Sequence, residues 1–418
     1  MAQTGGARIF ISYSRKDGTE FAASLRKKLE REDLSIWQDL IALEGGRDWW
    51  SQIEEALKSK ALQHFILVVT PAALASPVVR REIRLARPEG KTACPVKGPG
   101  LGDLSKLPRW LGQIYDLDLI EHQTTLIRVL QADSRQKRVP MMAPEPPPDF
   151  VARPMEFDAL KACLLDAKGD AVAAITAALR GAGGYGKTTL AKALAHDPDI
   201  QDAFFDGILW AELSETAERL LATLSDLSEL LTGERPGLET LNAAAAKLGE
   251  ALGDRRILLI IDDAWRERDL WPFLQGGPNC VRLVTTRIDS ILPEKALRQP
   301  VDAMQASEAL SLLSAGLPPN QVFHERASLA KLAARLGEWA QLLKIVNGFL
   351  RDRVVRAKES LPAAISGANK RLDAKGLTVF DQRDETDRAK AVARTIAVSS
   401  CRRRSAGASV SSASFPRM

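Results

Sequence analysis

A glycine-rich loop in the middle of the chain has the residue types and the spacing that bind phosphate. It follows an apolar run, Val172 to Leu179, which predicts a strand buried on both faces. Backbone N–H groups in such a loop can point at phosphate oxygens, and the next helix adds the positive end of its dipole. Gly-x-x-x-x-Gly-Lys-Thr between a strand and a helix is a Walker A loop. We therefore expect Mg²⁺ on the Thr188 hydroxyl and nucleotide contacts from Gly181, Gly183, Gly184, Gly186, Lys187, Thr188 and Thr189.

Two carboxylates follow another strongly apolar run. The segment that starts at Arg256 ends in Asp262 and Asp263, a pattern typical of a Walker B strand. One carboxylate must lie near the metal and the other can polarise the attacking water. We assign Asp262 to the metal and Asp263 to the water. A later strand, which starts at Val281, ends in Arg287. Arg287 either senses the γ-phosphate or pairs with one of the two carboxylates when no nucleotide is bound.

The amino-terminal part of the chain alternates between strands and helices. The hydrophobic patterns predict strands at 7–13, 34–37 and 64–70, and helices at 19–32, 49–59 and 79–87. This alternation predicts an α/β fold with a parallel, flavodoxin-like sheet. Ligands of such sheets bind at the carboxyl ends of the strands.

Short motifs lie along this region in a fixed order. They are Ile9 to Ser14, Asp17, Trp37-x-Asp39, Leu43 to Gly46 and Ser76 to Glu82. Together they resemble a TIR domain over about residues 5–130. Many TIR domains cleave NAD⁺ with one glutamate, which lies on the helix after a serine-containing loop. The resemblance places that glutamate at Glu82.

The same resemblance implies an NAD⁺ site around Glu82. Its carboxylate would hold the ribose hydroxyls and stabilise an oxocarbenium-like transition state while nicotinamide leaves. Trp49 and its neighbour cannot share a helix face, so one of the two packs and the other stacks on the dinucleotide. The candidate NAD⁺ contacts are Tyr13, Ser14, Arg15 and Trp50. Alternatively, Glu82 is a solvated helix residue and the domain only joins other TIR domains, since Val78 stands where the family often has tryptophan.

The Walker motifs and Arg287 together resemble an NB-ARC domain, a switch ATPase that binds ADP or ATP with Mg²⁺. The resemblance implies adenine contacts from Val151 and Arg153. It also implies a Gly-x-Pro-Leu motif that closes over the base, for which the matching stretch here is Leu336 to Leu343. Ala340 replaces the proline and Gln341 the following leucine. Because alanine packs less area than proline, we expect nucleotide binding to be retained but weakened.

The composition divides the chain into several regions. Its 418 residues are enough for two or three domains. We predict a flavodoxin-like TIR domain (1–132), an extended proline-rich linker (133–154), a P-loop NB-ARC domain (155–303), a small helical subdomain (304–398) and a disordered basic tail (399–418). The net charge of +5 comes from the end of the chain, where seven basic residues and no acidic one follow Asp387. We therefore infer no nucleic-acid binding.

The sequence also favours a cytoplasmic location. No apolar run reaches the roughly 18 residues of a membrane span, and no charged-then-apolar leader is visible, so no membrane association is expected. The four cysteines are far apart and fit reduced thiols.

We expect a nucleotide-switched signalling or defence protein whose TIR domains self-associate and cleave NAD⁺. One alternative keeps the nucleotide switch but makes the TIR domain an adaptor that recruits other TIR proteins. Another is a truncated remnant, because the winged-helix and repeat regions typical of the NB-ARC family do not follow in the sequence.

Overall fold

The computed structural model describes residues 8–37, 49–102, 111, 113–132, 139–167, 171–176, 184–214, 219–237 and 240–375. The chain divides into two compact units. The first consists of Met1–Met141 with Gln201–Gly207, and the second of Met142–Ile200 with Ile208–Met418. The predicted loop glycines Gly181 and Gly183, the loop 38–48 and the basic tail lie outside the described residues.

The first unit is built around a parallel four-stranded sheet with the order β2-β1-β3-β4. Its strands are β1 (Ile9–Ser12), β2 (Ile36–Trp37), β3 (His64–Val69) and β4 (Thr92–Lys97). Its helices are α1 (Thr19–Glu30), α2 (Trp49–Lys58), α3 (Pro71–Ala75), α4 (Pro77–Ala86) and α5 (Ile120–Gln131). The order is that of a flavodoxin-like sheet, so the predicted α/β fold is confirmed. The patterns missed α3, β4 and α5, and they placed the start of α4 two residues too late.

Side chains of β1 alternate between two hydrophobic layers, as the pleat of a strand requires. Ile9 and Ile11 pack with α1 and α5, whereas Phe10 packs with α2 and α4. Two helices on the second layer have capped starts. Thr70 accepts the Ala73 N–H before α3, and Ser76 accepts the Val79 N–H before α4, each followed by proline at the first helical position. These caps fix where α4 begins at the carboxyl edge of the sheet.

The second unit contains a five-stranded sheet with the order β6-β7-β8-β5-β9. Its strands are β5 (Val172–Thr176), β6 (Gly207–Glu212), β7 (Ile257–Ala264), β8 (Val281–Thr286) and β9 (Leu297–Pro300). The helices around it are α6 (Pro154–Asp166), α7 (Lys187–Ala195), α8 (Pro198–Ala203), α9 (Leu220–Thr232), α10 (Leu241–Leu252) and α11 (Glu267–Leu270). Short 3₁₀ turns span Trp271–Leu274 and Asp289–Ile291. The strand that precedes the phosphate loop, β5, is therefore separated from the acidic strand β7 by β8.

A fully buried arginine supports β8 from within. The guanidinium of Arg282 is 0% exposed and donates to the backbone carbonyls of Phe273, Gln275, Gly276, Gly277 and Cys280. Gly276 and Gly277 both have positive φ values, of 65° and 62°, which glycine adopts without strain. These contacts fix the loop before β8, and β8 in turn carries polar groups at its far end.

A helical region completes the described part of the second unit. It comprises α12 (Ala306–Ser314), α13 (Pro319–His324), α14 (Arg326–Arg335), α15 (Ala340–Arg351), a π-helical turn (Asp352–Arg356) and α16 (Leu361–Lys375). The buried Asn347 side chain of α15 donates to the Leu313 and Ala315 carbonyls at the end of α12. Residues 376–398 of the predicted helical region lie outside the described residues.

The predicted linker packs on the second unit from Met142 onward. The Met142 N–H donates to the Ile208 carbonyl at 2.9 Å, and Ala143 is buried. Pro154, the last predicted linker residue, is already the first residue of α6. Residues 142–153 are thus a fixed part of this unit and not a free tether.

Among the described residues, no helix combines the length and the apolar character needed to cross a membrane.

Candidate functional site

The described end of the glycine loop leads directly into α7. Gly184 and Gly186 have φ values of 81° and 91°, and Gly186 is the residue before the first turn of the helix. Left-handed backbone of this kind is where glycine is favoured. Lys187 is buried at 7% exposure. Burial, together with the nearby positive charge of Arg287, lowers the pKa of Lys187 to about 8.

The two residues predicted to hold the metal are in contact. The Thr188 hydroxyl donates to Asp262 Oδ1 at 2.9 Å, and the Thr285 hydroxyl donates to the same oxygen at 2.6 Å. Asp262 is 4% exposed, and burial raises its pKa. A carboxylate and a hydroxyl are oxygen donors that suit Mg²⁺, which usually takes few protein ligands and completes its shell with water and phosphate. The described residues contain no group of three acidic, histidine or cysteine side chains that would hold a metal without such help.

Asp263 lies where β7 departs from regular pairing with β8. The register shifts between Ile261 and Ala264, and Asp263 has a φ of 55°. Its carboxylate accepts the Trp265 indole N–H at 2.9 Å and lies 3.6 Å from Arg287 Nε. The Arg287 guanidinium also lies over the Trp265 ring, 5.0 Å from its centroid. The pairing of Arg287 with one of the two carboxylates is thus present, and both oxygens of Asp263 are engaged.

Most of the predicted nucleotide residues line one cavity of about 300 Å³. This volume is within the range of small-ligand sites. Nine of the eleven residues proposed from the sequence are in its wall: Val151, Arg153, Gly184, Gly186, Lys187, Thr188, Thr189, Arg287 and Ala340. The other two, Gly181 and Gly183, lie outside the described residues.

Arg153 holds the surroundings of the cavity together. It is 4% exposed and donates to the carbonyls of Tyr185, Asp302 and Ala303. The nitrogen that donates to Ala303, Nη2, also donates to Glu156 Oε1 at 2.5 Å. These contacts join the phosphate loop to the segment after β9, so Arg153 shapes the cavity through the backbone. Contact of Val151, Arg153 and Ala340 with adenine stays a prediction.

In the first unit, Glu82 lies on α4 at the carboxyl edge of the sheet. It is 6% exposed and accepts a hydrogen bond of 2.5 Å from the hydroxyl of Ser12, the last residue of β1. The alternative that Glu82 is a solvated helix residue is therefore wrong. Its place on α4 follows from the helical spacing, because Val79, Ile83 and Ala86 face the same buried layer.

The other candidate NAD⁺ residues do not all accompany Glu82. Tyr13 packs in the layer formed with α1 and α5, on the opposite face of the sheet from α4. Its side chain therefore lies on the face of the sheet opposite Glu82, and contact of Tyr13 with NAD⁺ stays a prediction. Ser14 is buried, Arg15 is exposed, and the Trp50 ring is covered by the Arg81 guanidinium at 3.8 Å from the centroid. The side chain of Trp49 lies outside the described residues.

Comparison with known families agrees with both resemblances. A TIR domain model matches residues 9–130, and an NB-ARC domain model matches residues 155–322. The chain carries a TIR domain followed by an NB-ARC domain. The match of the TIR model covers the first sheet, and that of the NB-ARC model runs from α6 into α13.

Relatives with known names match part of the chain. The regulatory protein AfsR of Streptomyces griseus is 31% identical over 56% of this chain and 24% of its own length. A probable disease resistance protein of Arabidopsis thaliana is 34% identical over 32% of this chain and 16% of its own length. The chain thus spans about a quarter or less of these relatives. Among solved structures, the TIR domain of the Toll-related receptor TRR-2 from Hydra magnipapillata is 16% identical, with a TM-score of 0.26 over 30% of this chain and 98% of that one.

The NB-ARC cavity includes residues that the motifs did not identify. Two of them, Tyr185 and Thr285, lie inside or beside recognised motifs. Thr285 could have been identified from the sequence, because it is a polar residue at the end of a buried strand. Asp149, Gln341 and Lys344 also line the cavity. Asp149 lies before α6 and Lys344 on α15, and no local pattern marks either of them. Gln341 lies in the stretch matched to the Gly-x-Pro-Leu motif but was not among the predicted contacts.

Proposed function

We propose that this chain is a nucleotide-switched signalling or defence protein that binds ADP and ATP in the NB-ARC cavity. The observation that carries the proposal is that Lys187 and Thr188 line one cavity and that the Thr188 hydroxyl is in contact with Asp262 behind it. Both relatives described above are larger proteins, named for regulation and disease resistance. This agrees with a switch that controls an output.

Each residue at the cavity has a separate task. Lys187 neutralises the phosphates, and Thr188 with Asp262 would hold Mg²⁺, which supplies positive charge to the β- and γ-phosphates when bound. Arg287 is engaged by Asp263 in the present arrangement. A γ-phosphate offers Arg287 a more strongly charged partner. Movement of Arg287 from Asp263 to the γ-phosphate would free Asp263 to orient water. Because both oxygens of Asp263 are engaged, we expect hydrolysis to be slow.

The test is nucleotide binding by the full chain, measured by calorimetry with ADP and with ATP. Lys187→Ala should lower the affinity at least 100-fold, since a buried charge beside the phosphates is lost. Lys192→Ala is the matched control, because Lys192 lies on the same helix but not in the cavity wall. Unchanged affinity in Lys187→Ala would refute the assignment of the phosphate site.

We further propose that the TIR domain cleaves NAD⁺ when these domains self-associate, with Glu82 as the catalytic residue. Support comes from the burial of Glu82 and from its hydrogen bond to Ser12 at the edge where parallel sheets bind ligands. The carboxylate would stabilise the developing positive charge on the ribose while the bond to nicotinamide breaks and water adds. The alternative is an adaptor that recruits other TIR proteins without chemistry.

Nicotinamide release by the full chain separates these two functions. We expect release that rises more than proportionally with protein concentration and that is lost in Glu82→Gln. Glu54→Gln is the control, because Glu54 lies on α2 and pairs with Lys58 at the surface. Self-association without nicotinamide release would identify an adaptor.

A reducing compartment such as the cytoplasm fits the described thiols. Cys94, Cys163 and Cys280 are all free. Burial raises the pKa of Cys94 to about 12 and that of Cys280 to about 11. Thiols with such pKa values react slowly.

A further inference from the structure

The start of α15 lies directly against the described end of the phosphate loop. The Gln341 N–H donates to the Gly184 carbonyl at 3.0 Å. The Gln341 side chain lies over the α-carbon of Gly184, so closely that a methyl group added to Gly184 would be 2.6 Å from Gln341 Cβ. Gln341 also lines the cavity beside Lys187.

A second contact joins the same two segments. The rings of Tyr185 and Trp339 are 6.0 Å apart, and both side chains are buried. Arg153 holds the Tyr185 carbonyl at 3.0 Å from the other side. Two consecutive residues of the loop are therefore held by the residues that begin α15.

The turn before α15 is built to present these residues. Gly337 and Glu338 have φ values of 67° and 54°, so the chain reverses sharply before Trp339. Left-handed backbone is unfavourable at a glutamate. The Glu338 carbonyl accepts the N–H of Met304, another residue of the cavity wall, at 2.9 Å.

We propose that Gln341 is a positioning residue for the phosphate loop, through which the helical region responds to the phosphates of the nucleotide. This rests on the proposed nucleotide binding. Any shift of the backbone at Gly184 moves the acceptor of the Gln341 N–H and the surface on which its side chain rests. The helical region is thereby coupled to the phosphate end of the ligand, in addition to any contact that Ala340 makes with the base.

A double-mutant cycle without nucleotide tests the contact. In Gly184→Ala the new methyl overlaps Gln341, so we expect the melting temperature of the full chain to fall by about 5 °C or more. Gln341→Gly removes the overlapping atoms and should restore part of that loss. Gly186→Ala is the matched control, because Gly186 also has a positive φ but nothing within 4 Å of an added methyl group. If Gln341→Gly restored the melting temperature of both Gly184→Ala and Gly186→Ala, or of neither, the proposed contact would be refuted.

The affinities for ADP and for adenosine then test the positioning role of Gln341. Gln341→Ala keeps the backbone N–H and removes the side-chain amide that rests on Gly184, so we expect ADP to bind about fivefold more weakly and adenosine binding to be unchanged. Arg351→Ala, on the same helix but outside the cavity wall, should leave the ratio of ADP to adenosine affinity as it is. An equal loss for both ligands in Gln341→Ala, or no loss, would overturn the positioning role. A failure of the proposed function would be seen separately, because Lys187→Ala would then not reduce ADP binding. The melting temperatures of the double-mutant cycle would still show whether Gln341 contacts Gly184.

Discussion

Replacing Thr285 with valine should destabilise the NB-ARC domain and weaken its use of Mg²⁺. The Thr285 hydroxyl donates to Asp262 at 2.6 Å and accepts the Asp263 N–H at 2.9 Å. The first bond has a charged acceptor and contributes about 1.5–3 kcal/mol, and an unsatisfied N–H costs about 1–3 kcal/mol. Because these terms do not add fully, we expect a loss of about 3 kcal/mol in the free energy of unfolding.

Serine at position 285 provides the comparison, because it keeps the hydroxyl and loses one methyl group, at a cost of about 1 kcal/mol. Calorimetry of the full chain should show a melting temperature lower by about 6–12 °C in Thr285→Val and by a few degrees in Thr285→Ser. The hydrogen bond from Thr285 also lowers the pKa of Asp262 against the effect of burial. Without it, half-maximal ATP binding should require more Mg²⁺. Equal stability of the two variants would refute the reasoning.

Three further outcomes are expected. Arg282→Met should lower stability by about 3–5 kcal/mol in calorimetry, because five backbone carbonyls lose a donor that methionine cannot replace; a change below 1 kcal/mol would contradict this. The pKa of Lys187 is lowered to about 8, and phosphate favours the ammonium form. ADP affinity in EDTA should therefore fall about tenfold between pH 7 and 9, while Lys187→Arg stays flat in the same titration. Asp17→Ala should destabilise the TIR domain by about 2 kcal/mol in urea unfolding, because Asp17 accepts both the Thr70 hydroxyl and the Ala72 N–H; Asp17→Asn should lose less.

Local motifs were sufficient for the parts of the site that a continuous segment builds. Lys187 and Thr188 follow from the loop and its flanks, and Asp262 from the apolar strand before it. The contact between Thr188 and Asp262 could be expected, because both lie at the carboxyl edge of a parallel sheet. The α/β fold followed for the same reason, from strong and regular hydrophobic patterns.

Features that depend on backbone geometry or on distant packing were not predictable in the same way. The left-handed backbone of Asp263 arises where β7 departs from its register with β8, and no residue type marks that departure. The face on which Tyr13 packs was not predictable either, because the motif around it shows which residues occur together, whereas the backbone decides where each side chain points. Gln341 meets the phosphate loop through the turn at Glu338, a contact that depends on the packing of the whole helical region.

The segment from Met142 to Arg153 has a mechanical consequence. Pro147, Asp149, Phe150 and Val151 form part of the cavity wall, and Asp149 pairs with Lys344 of α15 at 3.0 Å. The same residues are the covalent connection to everything that precedes them in the chain. Tension on that connection would therefore act on the contact between Met142 and Ile208 before it reached the wall of the cavity. This contact would thus shield the cavity from movements of the preceding chain for as long as it is intact.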